Sequence, residues 1–341
     1  MAAAPSSTPK IKTRILIISD THGFTPKLKL DTDPSTEDEL SQEDVMWVRT
    51  GFRQPLASAD VVLHCGDLTK RSRVSEFSDS FAMLRAIHAP LKLVIAGNHD
   101  FALDKDWYED EWGGSEEVMH QVHDIVQAAR ADGVHYLTEG VYSFTLDNGA
   151  LLKVYASQYT PSYGGWAFQY NNGHDFKIPP DVDVAMTHGP PRGVLDFAGM
   201  TGTHAGCPDL YDAVCRAKPK VHCFGHIHEA WGSQLVHWQS HDAKQMSMRD
   251  FMPNRATQDA ETMKARRQKL IEMSQQRGVH VDLSQGPDRA VAGEHTLFVN
   301  AAIMDMRYRA THLPWLVDVE LDKAEGGEIN QTLSKEMEMD G

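Results

Sequence analysis

Five short apolar runs punctuate the first two-thirds of the chain, at residues 15–18, 61–63, 91–96, 182–186 and 221–224. Their length and β-branched content predict strands buried on both faces. A different period governs residues 115–132, where Val118, Val122, Ile125, Val126 and Ala129 recur at helical spacing and Gly133 supplies a stop. Helices set between buried strands predict a layered α/β sandwich. The β-like pattern breaks over about 242–286. Within that insertion residues 254–277 are helical in composition, with Met263, Leu270 and Met273 on roughly one face and Gly278 as a stop. This reads as a surface helix packed on the sandwich; a lid or a self-association helix is the alternative. Residues 31–44, rich in Asp, Glu, Ser and Thr, read as a solvated loop. Thr36 and Glu39 have capping-box spacing for a short helix there, and the segment leaves the strand end that carries His22, where it would flank a substrate mouth. Residues 1–10 and 323–341 are small, polar or acidic and are read as disordered ends of a single domain spanning 11–322.

Each apolar run leads into a block of one chemistry. The blocks are Asp20-Thr21-His22, Gly66-Asp67, Gly97-Asn98-His99-Asp100, His188 and Gly225-His226-Ile227-His228. Carboxylate, imidazole and carboxamide suit Zn, Mn or Fe, and no thiolate is needed. One buried His or Asp is more often structural than a ligand. Five such blocks, each behind a predicted strand, point to a dinuclear metal site. Gly23, Gly66, Gly97, Gly189 and Gly225 are read as letting the backbone turn sharply at the strand ends. Open α/β folds place ligands in the crevice outside the carboxyl ends of their strands.

In this order the blocks resemble the calcineurin-like metallophosphoesterase superfamily, whose pattern is D-x-H, G-D, G-N-H-[DE], H and G-H-x-H. The resemblance covers about residues 11–240 and resumes near 295–321. Residues 159–170 are also similar to a stretch in the metallophosphoesterase-domain branch that has fungal and brain-type animal members. The resemblance implies a metallo-dependent phosphatase-like fold, a two-sheet β-sandwich flanked by helices in four layers. It implies one ion on Asp20, His22 and His228 and a second on Asn98, His188 and His226. Asp67 is read as the bridge, because one carboxylate can give an oxygen to each ion. Two metals about 3.5–4 Å apart lower the pKa of a shared water, and the bridging hydroxide so formed would attack phosphorus in line. His99 is implied to protonate the leaving alkoxide or stabilise its charge, with Asp100 as the partner that orients and charges the imidazole.

Other positions have weaker signals. Arg71, beside Lys70, could face a phosphate as an arginine does in some family members. However, the chain reads Thr69-Lys70-Arg71-Ser72 where phosphoprotein phosphatases carry Asp-Arg-Gly, which argues against a protein substrate. Tyr163, Trp166 and Phe168 could stack on a flat substrate or form a hydrophobic plug under the site. His204, in a Gly-rich loop after His188, is a candidate substrate contact with loop packing as the plainer role. Most of the remaining histidines, of 18 in all, have no ligand context, and His64 falls within a strand run. Cys65, Cys207, Cys215 and Cys223 form no Cys-x-x-Cys pair and read as reduced thiols of an intracellular protein.

A net charge of −15 argues against a nucleic-acid-coating surface, though not against a phosphate substrate at a metal centre. No apolar run approaches a membrane span, and the first residues lack a basic-then-apolar layout, so the expectation is a cytoplasmic protein. The reading is a dinuclear metal-dependent phosphoesterase acting on a small phosphodiester, cyclic-nucleotide-like by the branch resemblance. The alternatives are a phosphomonoesterase or pyrophosphate-cleaving enzyme, or the same core recruited to non-phosphate chemistry. A non-catalytic scaffold is disfavoured because Asn98, His99, His226 and His228 are all present.

Overall fold

The computed structural model describes residues 9–26, 52–240, 242–247 and 275–325 apart from 287, with isolated helical positions at 261, 268, 272 and 273. In chain order the strands are β1 (Lys10–Ile18), β2 (Val61–His64), β3 (Leu91–Val94), β4 (Val134–Tyr136), β5 (Gly140–Thr145) and β6 (Ala150–Ser157). There follow the short β7 (Thr160–Pro161) and β8 (Gln169–Tyr170), then β9 (Val184–Thr187), β10 (Phe197–Ala198), β11 (Thr203–His204) and β12 (Val221–Phe224). The last are β13 (Gly232–His237), β14 (Ala243–Ser247), β15 (Val279–Asp282), β16 (His295–Asn300) and β17 (Trp315–Lys323). The described helices are α1 (Val74–Ala86), α2 (Lys105–Asp110), α3 (Glu116–Ala129) and α4 (Pro208–Ala217). Each of the five apolar runs overlaps one of these strands.

Strands β1 to β4 run parallel, with β17 antiparallel on the far side of β1 and β15 parallel to β17. A second set, β6, β9, β12 and β16, is also parallel and is extended antiparallel by β13 and β14 at one edge and β5 at the other. A two-residue contact, Asp322 with Leu151 and Lys323 with Ala150, joins the halves into one continuous ladder. Burial reveals two packed sheets nonetheless. Ile15, Ile17, Leu63 and Val317 of one half share an inner core with Leu152, Val154, Val184 and Val221 of the other. The alternate residues Leu16, Ile18, Val62 and Val94 face outward against Phe77, Phe81 and Leu84 of α1 and Val122 and Val126 of α3. On the opposite outer face Tyr155, Phe224 and Phe298 pack on Leu210, Ala213 and Val214 of α4. The layers are therefore helix, sheet, sheet, helix. Covering both faces of each half explains why the strand runs are continuously apolar rather than alternating.

Helix α3 matches its sequence signal closely. Ser115 caps it by accepting the Val118 N–H, Glu116 and Glu117 sit in the first turn, and Gly133 turns out of it at φ 73°. The insertion departs from its reading, since it opens and closes on strands β14 and β15, which belong to the sheets. Its described positions 261, 268, 272, 273, 275 and 276 are helical, and Met273 is buried in the inner core. The rest of that helix, and residues 31–44, lie outside the described residues. So do 1–8 and 326–341; Lys10 and Lys323 are already in strands. Among the described residues no helix is long and apolar enough to cross a membrane.

Candidate metal centre

All five blocks lie just past the carboxyl ends of strands, and both halves contribute. Asp20 and His22 follow β1, Asp67 follows β2, and Asn98 follows β3. His188 follows β9, and His226 and His228 follow β12. The seam is tied by Ser19, which bridges to Ala302 and accepts the Ile303 N–H at 2.9 Å. The loops after β1 and β2 are joined by the Asp20 N–H on the Gly66 carbonyl and the His22 N–H on the Asp67 carbonyl, both 2.9 Å. The sharp turns are made largely by the site residues themselves: Asp20, His22, Asp67 and His226 adopt φ of 54°, 48°, 54° and 66°. Left-handed backbone at such residues costs on the order of 1–3 kcal/mol each and is typical of functional sites. Gly66, at φ 97°, does supply the expected conformational freedom. Gly97 and Gly225 are needed for space instead, since a Cβ on Gly97 would overlap Asp67 and one on Gly225 would overlap Asp20.

Asp20, His22 and His228 offer ligand atoms that lie within 4.8 Å of one another, and so do Asp67, His188 and His226. Asp67 stands between the two groups. Its Oδ2 is 3.6 Å from His22 Nε2 and its Oδ1 is 3.5 Å from His188 Nε2. Asn98 adds its Oδ1 at 3.0 Å from His188 Nε2, and His228 Nε2 lies 3.2 Å from His22 Nε2 and 3.3 Å from Asp20 Oδ1. The tautomers can be assigned from chemistry, because a backbone carbonyl only accepts. His22 Nδ1 therefore donates to the Thr69 carbonyl at 2.9 Å, His188 Nδ1 to that of Cys65 at 2.9 Å and His228 Nδ1 to that of Asp305 at 3.2 Å. Each ring so presents an Nε2 lone pair to the centre, which is how metal-ligating imidazoles are held. The donor set fits two divalent cations on oxygen and nitrogen ligands.

Electrostatics agree. Burial pulls His22 down to about 3 and His226 to about 4, so both rings are neutral and able to bind a cation. Burial opposes ionisation of Asp67, but the imidazoles of His188, His99 and His22 hold its carboxyl below the usual range. Asp20 is also held ionised against burial, chiefly by His228, and His228 is in turn raised by Asp20 despite its own burial.

The remaining predicted residues divide. His99 borders the centre: its N–H donates to Asp67 Oδ1 at 2.8 Å, and a ring nitrogen falls in a third close group with His22 and Asp67. Its Nδ1, however, donates to the Lys70 carbonyl at 2.9 Å and not to Asp100. Asp100 is corrected on this point. Its carboxylate, fully buried, accepts from the N–H groups of Leu68, Thr69 and Gly97 and from the Thr69 hydroxyl, so it fastens together the loops that carry Asp67 and Asn98. Trp166 lies against the His99 ring, centroids 4.4 Å apart, and Phe168 is buried in the outer core, while Tyr163 is exposed at the loop tip. His204 is committed to Asp196 at 2.6 Å, the loop-packing role. Arg71 is exposed and places its charge near Tyr308. Sequence reasoning missed Tyr308, whose ring meets His22 at 4.9 Å and His228 at 5.4 Å, and preferred Arg71 to Lys70, whose ammonium lies 4.1 Å over that ring. No motif marks Tyr308.

A four-layer α/β sandwich with oxygen and nitrogen donors gathered at the strand ends of both sheets defines the metallo-dependent phosphatase class. A model of the calcineurin-like phosphoesterase family matches residues 13–230, and the chain belongs to that family. Over 188 residues, 54% of this chain, it is 34% identical to a probable rhamnogalacturonate lyase C of Emericella nidulans, covering 16% of that protein. Over 182 residues, 51% of this chain, it is 31% identical to human metallophosphoesterase domain-containing protein 1, covering 55% of that protein. A UPF0046 protein of Caenorhabditis elegans is 30% identical over 61% of this chain and 66% of its own length. The chain thus spans about half or less of the first two relatives.

Proposed function

We propose that this chain is a dinuclear metal-dependent phosphoesterase acting on a small phosphodiester. One observation carries the reading: the two oxygens of Asp67 face different histidines, His22 at 3.6 Å and His188 at 3.5 Å, as a shared ligand requires. Asp20, His22 and His228 would hold one ion, Asn98, His188 and His226 the other, with Asp67 common to both. Bound there, two divalent ions would activate a water and polarise the phosphoryl group. Asn98 contributes a neutral oxygen, so the ligand set keeps its pull on an anionic ester. His99 keeps its Nδ1–H on the Lys70 carbonyl, and as the doubly protonated imidazolium it would give the proton of its other nitrogen to the leaving oxygen. Trp166 limits the swing of that ring.

The diester preference, cyclic-nucleotide-like in class, rests on the resemblance of residues 159–170 to the metallophosphoesterase-domain branch. Four free cysteines agree with a reducing compartment such as the cytoplasm. The test is hydrolysis of an aryl phosphodiester and of its monoester by Mn²⁺-reloaded protein, beside Asn98→Ala. Metal-dependent diester turnover lost in the variant is the expected result. Turnover of the monoester alone would replace the proposal with a phosphomonoesterase. No turnover of either would leave the same core to non-phosphate chemistry.

A further inference from the structure

The loop after β16 carries Tyr308 to the centre in left-handed backbone, φ 55°, a conformation that a bulky residue adopts only when its surroundings fix it. Asp305 does the fixing. Its carboxylate accepts the N–H groups of Arg307 at 2.8 Å and Arg309 at 3.0 Å and the Arg309 Nε at 2.7 Å. Its carbonyl accepts the Tyr308 N–H at 2.9 Å and also the His228 Nδ1 at 3.2 Å. One residue therefore sets both a candidate ligand and the ring beside it. Tyr308 meets His22, His228 and His99 edge-to-face, with centroids 4.9, 5.4 and 6.4 Å away.

Lys70 comes to the same ring from the loop after β2, its ammonium 4.1 Å from the centroid. Its backbone carbonyl is the one that fixes His99. Among the described residues the Lys70 ammonium makes its contact with the Tyr308 ring and with no carboxylate, although acidic residues outnumber basic ones 48 to 33 in the chain. An ammonium resting on an aromatic ring beside this centre is placed to meet an anion there.

We propose that Lys70, held over the centre by the Tyr308 ring, is the protein cation that meets the phosphate group of the substrate, and that Tyr308 is its positioning residue. This takes the place first read for Arg71, and it rests on the phosphoesterase reading above. The probe is methylphosphonate, a phosphate mimic that is not hydrolysed, titrated calorimetrically into Mn²⁺-loaded protein of verified metal content. Lys70→Gln should weaken binding about tenfold, the size of one charge-assisted contact. Tyr308→Ala should weaken it about two- to fivefold, and Tyr308→Phe, which keeps the ring, by less than about twofold. The double variant Lys70→Gln/Tyr308→Ala should bind no more weakly than Lys70→Gln alone, which a merely structural tyrosine would not produce. Wild-type affinity in Lys70→Gln, additive losses in the double variant, or no binding by the wild type would overturn the proposal. Binding through Lys70 in a protein that hydrolyses no phosphoester would sink the phosphoesterase reading and leave this one standing.

Discussion

Asp67 faces both candidate groups because its backbone, at φ 54°, turns the carboxylate into the gap between the loops from both half-sheets. His99 is placed by similar means, with its N–H on Asp67 and its Nδ1 on the Lys70 carbonyl. If the free nitrogen of His99 protonates the leaving group, His99→Ala should keep both ions. It should lose about 10²–10⁴-fold in kcat on an alkyl diester, and much less on an activated aryl ester that leaves without help. Equal losses on both esters would remove the general-acid role. At this scale the candidate donors were legible in the chain, because carboxylate, imidazole and carboxamide declare their chemistry locally, and the structure brings them together. The partner of His99 was not. Asp100 is its neighbour in sequence, yet the short helical turn that begins at Phe101 leaves the Asp100 carboxyl under the loops, where burial and Asp67 push it up to about 7.

Among the elements, β1 and β17 carry a cluster at the end of the sheet away from the metal centre. Asp318, fully buried, accepts two hydrogen bonds from Arg14 at 2.7 and 2.9 Å and one from His280 at 3.0 Å, and Lys12 lies 3.1 Å away. Burial alone would raise its pKa, but these partners, Arg14 foremost, hold it to about 2. A carboxyl depressed in the folded state contributes stability above its unfolded pKa of about 4 and loses it as pH falls toward 2. Because Arg14 and Lys12 are themselves partly exposed, the contribution is trimmed to about 1–2 kcal/mol near neutral pH. Urea melts of metal-free Asp318→Asn should show that deficit at neutral pH and a smaller one at about pH 3.5. A deficit independent of pH would contradict it. Buried strands and helix α3 were legible from periodicity, since burial on both faces or on one stripe leaves its period in the sequence. Strand β15 was not. Of its four residues only Val279 is buried, and among the described residues it pairs with β17 alone, so no apolar run announces it.

For the whole molecule, the decisive fact is that the centre lies where two sheets meet. The first half supplies Asp20, His22, Asp67 and Asn98, and the second supplies His188, His226 and His228, with Ser19 and Ile303 fastening the seam. The order of the blocks foreshadowed this, but Tyr308 and Lys70, from loops remote in sequence, meet only once the sheets are packed. The central claim is one centre with a carboxylate common to two ions. Metal titration followed by elemental analysis, on the wild type and on Asp67→Asn, tests it most directly. The wild type should hold two ions per chain and the variant at most one, with turnover abolished. Two ions held by Asp67→Asn with unchanged affinity and rate would show that Asp67 is not shared, and the proposed centre would have to be redrawn.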